Sequence, residues 1–156
     1  MRKNKVEYYE SSIENVEFGK SVKIVKPVNL YGCKIGDNSF ICPFVEIQKN
    51  VEIGSNCKIQ SHSFICELVN IGDNVFIGHG VIFINDLFKN GGPAKGNKNL
   101  WMKTNIQDNV SIGSNATILP VSICSNVVIG AGSVVAKNIS KPGIYVGNPA
   151  KIIKEF

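Results

Sequence analysis

The chain has 156 residues, 44% hydrophobic and 19% charged, which suits a soluble protein with one buried core. A formal charge of +5 raises nucleic acid as a partner, but the basic residues are scattered and no aromatic platform is interleaved with them. That class is set aside; a mildly basic surface suits an anionic small molecule instead.

The first residues, Met1-Arg2-Lys3-Asn4-Lys5, are basic, but Val6-Glu7-Tyr8-Tyr9-Glu10 follows where a secretory signal needs an apolar stretch. No run is long and apolar enough for a membrane span. Five cysteines with no CxxC pair argue against a disulfide framework and a zinc knuckle, which points to the cytoplasm.

From Ile13 a repeat takes over. Ile35, Ile41, Ile47, Ile53, Ile59, Ile65, Ile71, Ile77 and Phe83 stand at an unbroken spacing of six. Four residues after each comes a small or branched partner, from Ser39, Val45 and Val51 to Val81 and Leu87, so each hexad reads as a short strand and a turn. Three residues after the leading aliphatic position the chain places Asn38, Asn50, Asn56, Asn74, Asn109, Asn115 and Asn126. Asparagine tolerates positive φ, which a sharp corner requires. If three hexads close one turn, residues about eighteen apart stack at a strand spacing of about 4.8 Å. Six or so coils between Ile13 and Ile139 then form a prism roughly 30 Å long around one aliphatic core.

The phase slips near Leu30 to Lys34, and again where Leu119-Pro120-Val121-Ser122 leaves no room for a full hexad. It fails altogether from Phe88 to Trp101, so a loop over about 87–104 leaves the coil before the repeat resumes at Ile106, Ile112 and Ile118. The loop carries the single tryptophan, Trp101, which either anchors the loop on its own body or reaches a neighbouring subunit. Residues 140–156 read as a short tail.

Glu67 and Asn85 occupy the same hexad position eighteen residues apart, which predicts that they stack on one corner, with Asp86 beside them. Two carboxylates and an amide at the mouth of the loop make a candidate site for an amine and hydroxyls, the alternative being a solvated acidic corner. His79 lies on the preceding corner and would reach Asn85 only from a neighbouring subunit. His62 sits where most corners have Asn, which favours a structural role.

These residues resemble the left-handed β-helix hexapeptide acyltransferases, over roughly residues 13–139. The closing Gly130-Ala131-Gly132-Ser133-Val134-Val135 and Gly147-Asn148-Pro149-Ala150-Lys151 are similar to the end of many such enzymes. Gly78-His79-Gly80-Val81-Ile82-Phe83-Ile84-Asn85-Asp86, then Trp101, Thr104 and Ser111-Ile112-Gly113-Ser114-Asn115-Ala116-Thr117-Ile118, resemble the nucleotide-linked 3-amino-sugar N-acetyltransferases. The resemblance implies an all-β, single-domain, left-handed parallel β-helix, a homotrimer with sites at its interfaces, and acetyl-CoA as co-substrate. It further implies a dTDP- or UDP-linked amino sugar destined for surface polysaccharide or lipopolysaccharide.

On this reading Asn85 and Asp86 orient the amine, Glu67 fixes the sugar, Trp101 walls the site and His79 is the rival base. Gly113, Gly130, Ala131, Gly132 and Pro149 are the expected coenzyme A track, with Lys137, Lys141, Lys151 and Lys154 candidates for its phosphates. The alternatives are a 4-amino sugar or sugar hydroxyl as acceptor, or a non-catalytic solenoid. The same fold carries metal-dependent carbonic anhydrases with three histidines per site; with only His62 and His79 at unsuitable spacing, no metal is expected.

Overall fold

A computed structural model describes residues 7–156; the basic start, Met1 to Lys5, lies outside the described residues. Short parallel strands wind into a three-sided coil. The first side stacks seven strands: Ile13–Glu14, Asn29–Tyr31, Glu46–Ile47, Phe64–Ile65, Ile82–Phe83, Thr117–Ile118 and Val134–Val135. The second stacks six, from Glu17–Phe18 through Val69–Ile71 and Thr104–Ile106 to Ser122–Ile123. The third begins at Lys23–Ile24 and ends with Val127–Ile129, Gly143–Val146 and an antiparallel closing strand, Lys151–Glu155. The architecture is a parallel β-solenoid, consistent with the left-handed β-helix that the resemblance implies.

The register is that of the hexads. Ile53 pairs with Ile71, Ile59 with Ile77 and Ile47 with Ile65, so the leading residues rise in columns. Ile41, Ile47, Ile59, Ile65, Ile77, Ile112, Ile118 and Ile123 are fully buried, and Phe83, at 1% exposure, continues a column into Ile118. The second inward set is buried from Ser39 to Val81. Leu87 departs from it: at 38% exposure it belongs to the loop and not to the core. Each buried isoleucine contributes about 1.5–3 kcal/mol of transfer free energy, and the columns make one continuous core.

Every predicted asparagine corner has positive φ, between 57° and 60° from Asn38 to Asn126. Gly32, at φ 57°, makes the first phase slip possible by turning the corner between Leu30 and Ile35 one residue early. His62 is a corner residue at φ 64°, and its ring stacks on Phe44 at 4.8 Å, the structural role expected for it.

The loop returns to the coil earlier than residue 104: Thr104 is 1% exposed and opens a strand of the second side. Nor is the tail a mere appendage, since Gly143–Val146 adds a rung and Lys151–Glu155 folds back over it. Among the described residues no helix is long and apolar enough to cross a membrane.

Candidate functional site

The corner between the first and second sides carries Asn15, Gly32, Asn50 and Leu68 on successive coils, and the loop leaves from this same corner. Glu67 and Asn85 meet here as the eighteen-residue spacing requires: Asn85 Nδ2 donates to the Glu67 carbonyl at 3.1 Å. With Nδ2 so engaged, Asn85 Oδ1 is the end left to accept from a ligand. Below, Gln48 Oε1 accepts from the Glu67 amide at 3.3 Å, while Gln48 Nε2 donates to Glu46 at 3.1 Å.

The Glu67 side chain is 10% exposed and its carboxylate is engaged on both oxygens. Lys98 Nζ, from the loop, donates to its two oxygens at 3.2 and 2.9 Å, and Lys49 stands 3.8 Å away. The hydrogen bond to Glu67 holds the Lys98 ammonium pKa above the usual lysine value. Lys98 also lies over the Trp101 ring, 5.3 Å from its centroid, so Trp101 packs against its own loop. A buried carboxylate needs such partners, and Lys98, on a short 3-10 turn (Lys98–Leu100), is a partner the hexad spacing could not reveal.

Asp86 organises the loop's outward limb. Its Oδ1 accepts from the Phe88 amide at 2.9 Å and its Oδ2 from the Ala94 amide at 2.7 Å. Each oxygen keeps a lone pair for a further donor. At the base of the loop the Met102 amide donates to the Asn85 carbonyl at 2.9 Å, which closes the excursion directly on the candidate site.

His79 belongs to the corner between the third and first sides, so the strand Ile82–Phe83 separates it from Asn85. Its Nδ1 lies 2.9 Å from the Ser61 hydroxyl, and the ring is exposed. The expected coenzyme A residues gather at this second corner: Gly113 and Gly130 stack on successive coils, the exposed Ala131 and Gly132 follow Gly130 on the same coil, and Pro149 ends the series. A Cβ on Gly113 would come within 2.5 Å of the Ala131 amide nitrogen, so close coil packing alone demands glycine there. Lys137 is not beside Gly130 to Gly132. It lies between Val134–Val135 and Ile139, on the corner that carries the loop. Lys151 and Lys154 are exposed on the closing strand, and Lys141 pairs with Glu155 at 3.7 Å. Among the described residues no group of three His, Cys, Asp or Glu side chains is placed to hold a metal.

Two family models match the chain: the bacterial transferase hexapeptide (six repeats) over residues 32–67, and the hexapeptide repeat of succinyl-transferase over residues 103–137. The solved structure of an AntD variant, an N-acyltransferase from Bacillus cereus in complex with dTDP-4-amino-4,6-dideoxyglucose and coenzyme A, is 30% identical. It matches 89% of this chain and 82% of that one with a TM-score of 0.79. The chain belongs to the hexapeptide-repeat acyltransferases. Among curated members of the family, a putative acetyltransferase of Schizosaccharomyces pombe is 51% identical over 53 residues, and one of Staphylococcus aureus is 36% identical over 73. These matches span only 26% and 32% of the relatives' own lengths. PerB from Caulobacter crescentus, solved with coenzyme A and GDP-perosamine, shares the fold at 19% identity and a TM-score of 0.62, covering 91% of this chain and 57% of that one.

Proposed function

We propose that the protein transfers the acetyl group of acetyl-CoA to the amine of a nucleotide-linked amino sugar, with Asn85 as the residue that meets the amine. The observation that carries this is the corner itself: Asn85 is locked to the Glu67 carbonyl at 3.1 Å beside two carboxylates, where a loop leaves and rejoins the coil. The family's AntD, solved with a nucleotide-linked amino sugar and coenzyme A, supports the same pairing of ligands.

In this reading the sugar amine donates to Asn85 Oδ1 and Asp86, and Glu67, its carboxylate taken up by Lys98 and Lys49, fixes the sugar indirectly by holding the loop over it. The neutral nitrogen attacks the thioester carbonyl. The C–N bond forms, the carbonyl oxygen takes the negative charge, and collapse breaks the C–S bond and expels the thiolate. The ammonium proton passes to that thiolate or to His79 Nε2, which gives the amide and free coenzyme A.

A single chain keeps its two candidate surfaces on different corners. A homotrimer supports the chemistry by setting the corner of His79, Gly113, Gly130 and Gly132 of one subunit against the Asn85 corner of the next. In such a cleft Lys137 and Lys151 flank coenzyme A from different subunits, and Trp101 closes the sugar end. Both substrates are cytoplasmic metabolites, which supports a cytoplasmic enzyme supplying surface polysaccharide assembly.

The residues from Gly78 to Asp86 favour a 3-amino sugar. A 4-amino sugar is the second reading, favoured by the 4-amino ligand in AntD. Incubation with acetyl-CoA and a panel of dTDP- and UDP-linked 3- and 4-amino sugars, followed by thiol release and product mass, decides between them. Full activity in Asn85→Ala or Asp86→Ala contradicts the amine site.

A further inference from the structure

The corner that carries His79 changes character at the coil it shares with Asn85. The leading isoleucines pair in register from Ile41 to Ile129, so the three residues that follow each of them lie one above another. Towards the C-terminus these residues are short: Gly78 and Gly80 flank His79, Gly113-Ser114-Asn115 follows, then Gly130-Ala131-Gly132. One coil below His79 stands Gln60-Ser61-His62, and below that Cys42-Pro43-Phe44. All three columns are closed there. Gln60 Oε1 accepts from Cys42 Sγ at 3.3 Å, Ser61 Oγ lies 2.9 Å from His79 Nδ1, and the rings of His62 and Phe44 stack within 12° of parallel.

The backbone marks the stack as more than filling. Phe44 and His62, at φ 61° and 64°, hold the corner position that Gly80, Asn115 and Gly132 hold above them. A left-handed conformation costs such a residue about 1–2 kcal/mol. Phe44, 56% exposed, recovers little of that by burial, so the stack faces outward at a strained position.

In the proposed trimer a threefold axis parallel to the coil leaves every residue at its own height, so Asn85 of one subunit stands level with His79 of the next. The thioester carbon must reach that height to meet the amine. A pantetheine arm in a cleft between parallel prisms lies along their axes, and only on the C-terminal side do short residues leave it room. The acyl group, at the leading end of the arm, then points at the His62 ring one coil down, about 4.8 Å away. An acetyl group fits that gap. Butyryl, longer by two bonds of about 1.5 Å each, does not.

We infer that the Phe44–His62 stack is the end wall of the acyl site and restricts the donor to a short acyl thioester. The inference rests on the proposed function for the direction in which the donor lies.

Calorimetric titration of the full chain with coenzyme A, acetyl-CoA and butyryl-CoA, with no acceptor present, tests it in the wild type, His62→Gly and His62→Asn. Glycine and asparagine already hold this position in the coils above, so both variants suit the backbone. Acetyl-CoA should bind the wild type roughly tenfold or more tightly than butyryl-CoA, the scale on which a pocket rejects added methylenes. His62→Gly should remove most of that difference and His62→Asn part of it, with coenzyme A affinity unchanged. Equal affinity for the two thioesters in the wild type, or none for either, overturns the inference, as does an unchanged preference in His62→Gly. Loss of coenzyme A affinity in His62→Gly overturns it too, because the ring then holds the donor instead of limiting it. If the thioesters behave as expected while no amino sugar in the panel is acetylated, the proposed reaction falls and the end wall stands.

Discussion

Replacing Asp86 by Ala removes the two acceptors that shape the outward limb of the loop. The Phe88 amide, bonded at 2.9 Å, belongs to an exposed residue and turns to water at little cost. The Ala94 amide, bonded at 2.7 Å, belongs to a residue only 7% exposed. A buried amide left without a partner costs about 1–3 kcal/mol. Taking about 2 kcal/mol, the local opening constant rises roughly thirtyfold. Hydrogen exchange followed by mass spectrometry should show that acceleration at Ala94, with the Ile112 amide in the coil unchanged. Asp86→Asn, which can turn its carbonyl oxygen towards Ala94, should restore most of the protection. An unchanged rate at Ala94 in Asp86→Ala, or acceleration throughout the coil, would refute the idea that this carboxylate fastens the loop.

The remaining predictions concern the core, the corners, the thiols and the loop clasp. Phe83→Ala, at a site 1% exposed between Ile65 and Ile118, should cost about 3–5 kcal/mol in urea unfolding. Asn56, at φ 58°, should tolerate Gly with little change in melting temperature, whereas Asn56→Val should cost about 1–2 kcal/mol. Burial pushes the Cys33 thiol up to about 11 and the Cys66 thiol up to about 12, so iodoacetamide at neutral pH should label the partly exposed Cys124 well before either. Lys98 has its pKa raised above 10.5 by Glu67, so its contribution is complete below that value and fades as pH climbs beyond it. The emission of Trp101 should therefore stay constant up to about pH 10 and change only above it; a transition near neutrality would contradict this clasp.

The hexad phase made the solenoid legible because an inward column tolerates no exception: Ile53 must stack on Ile71 or a cavity opens. The stacking of Glu67 beneath Asn85 followed from the same arithmetic, since eighteen residues return the chain to its starting corner. The partners of Glu67 were not legible. Lys98 comes from a loop with no period, and its reach to a buried carboxylate depends on a fold-back that spacing does not encode. The double duty of Asp86 towards Phe88 and Ala94 was hidden for the same reason. Leu87 kept the hexad phase but lay beyond the last buried pair, so the period alone overextended the core by one position.

A crystal structure of the enzyme with coenzyme A and a dTDP- or UDP-linked amino sugar tests the central claim most directly. The account predicts the amine nitrogen within hydrogen-bonding distance of Asn85 Oδ1, facing the coenzyme A sulfur across the mouth of the loop. A ligand bound with its amine away from the corner of Glu67 and Asn85 would contradict it.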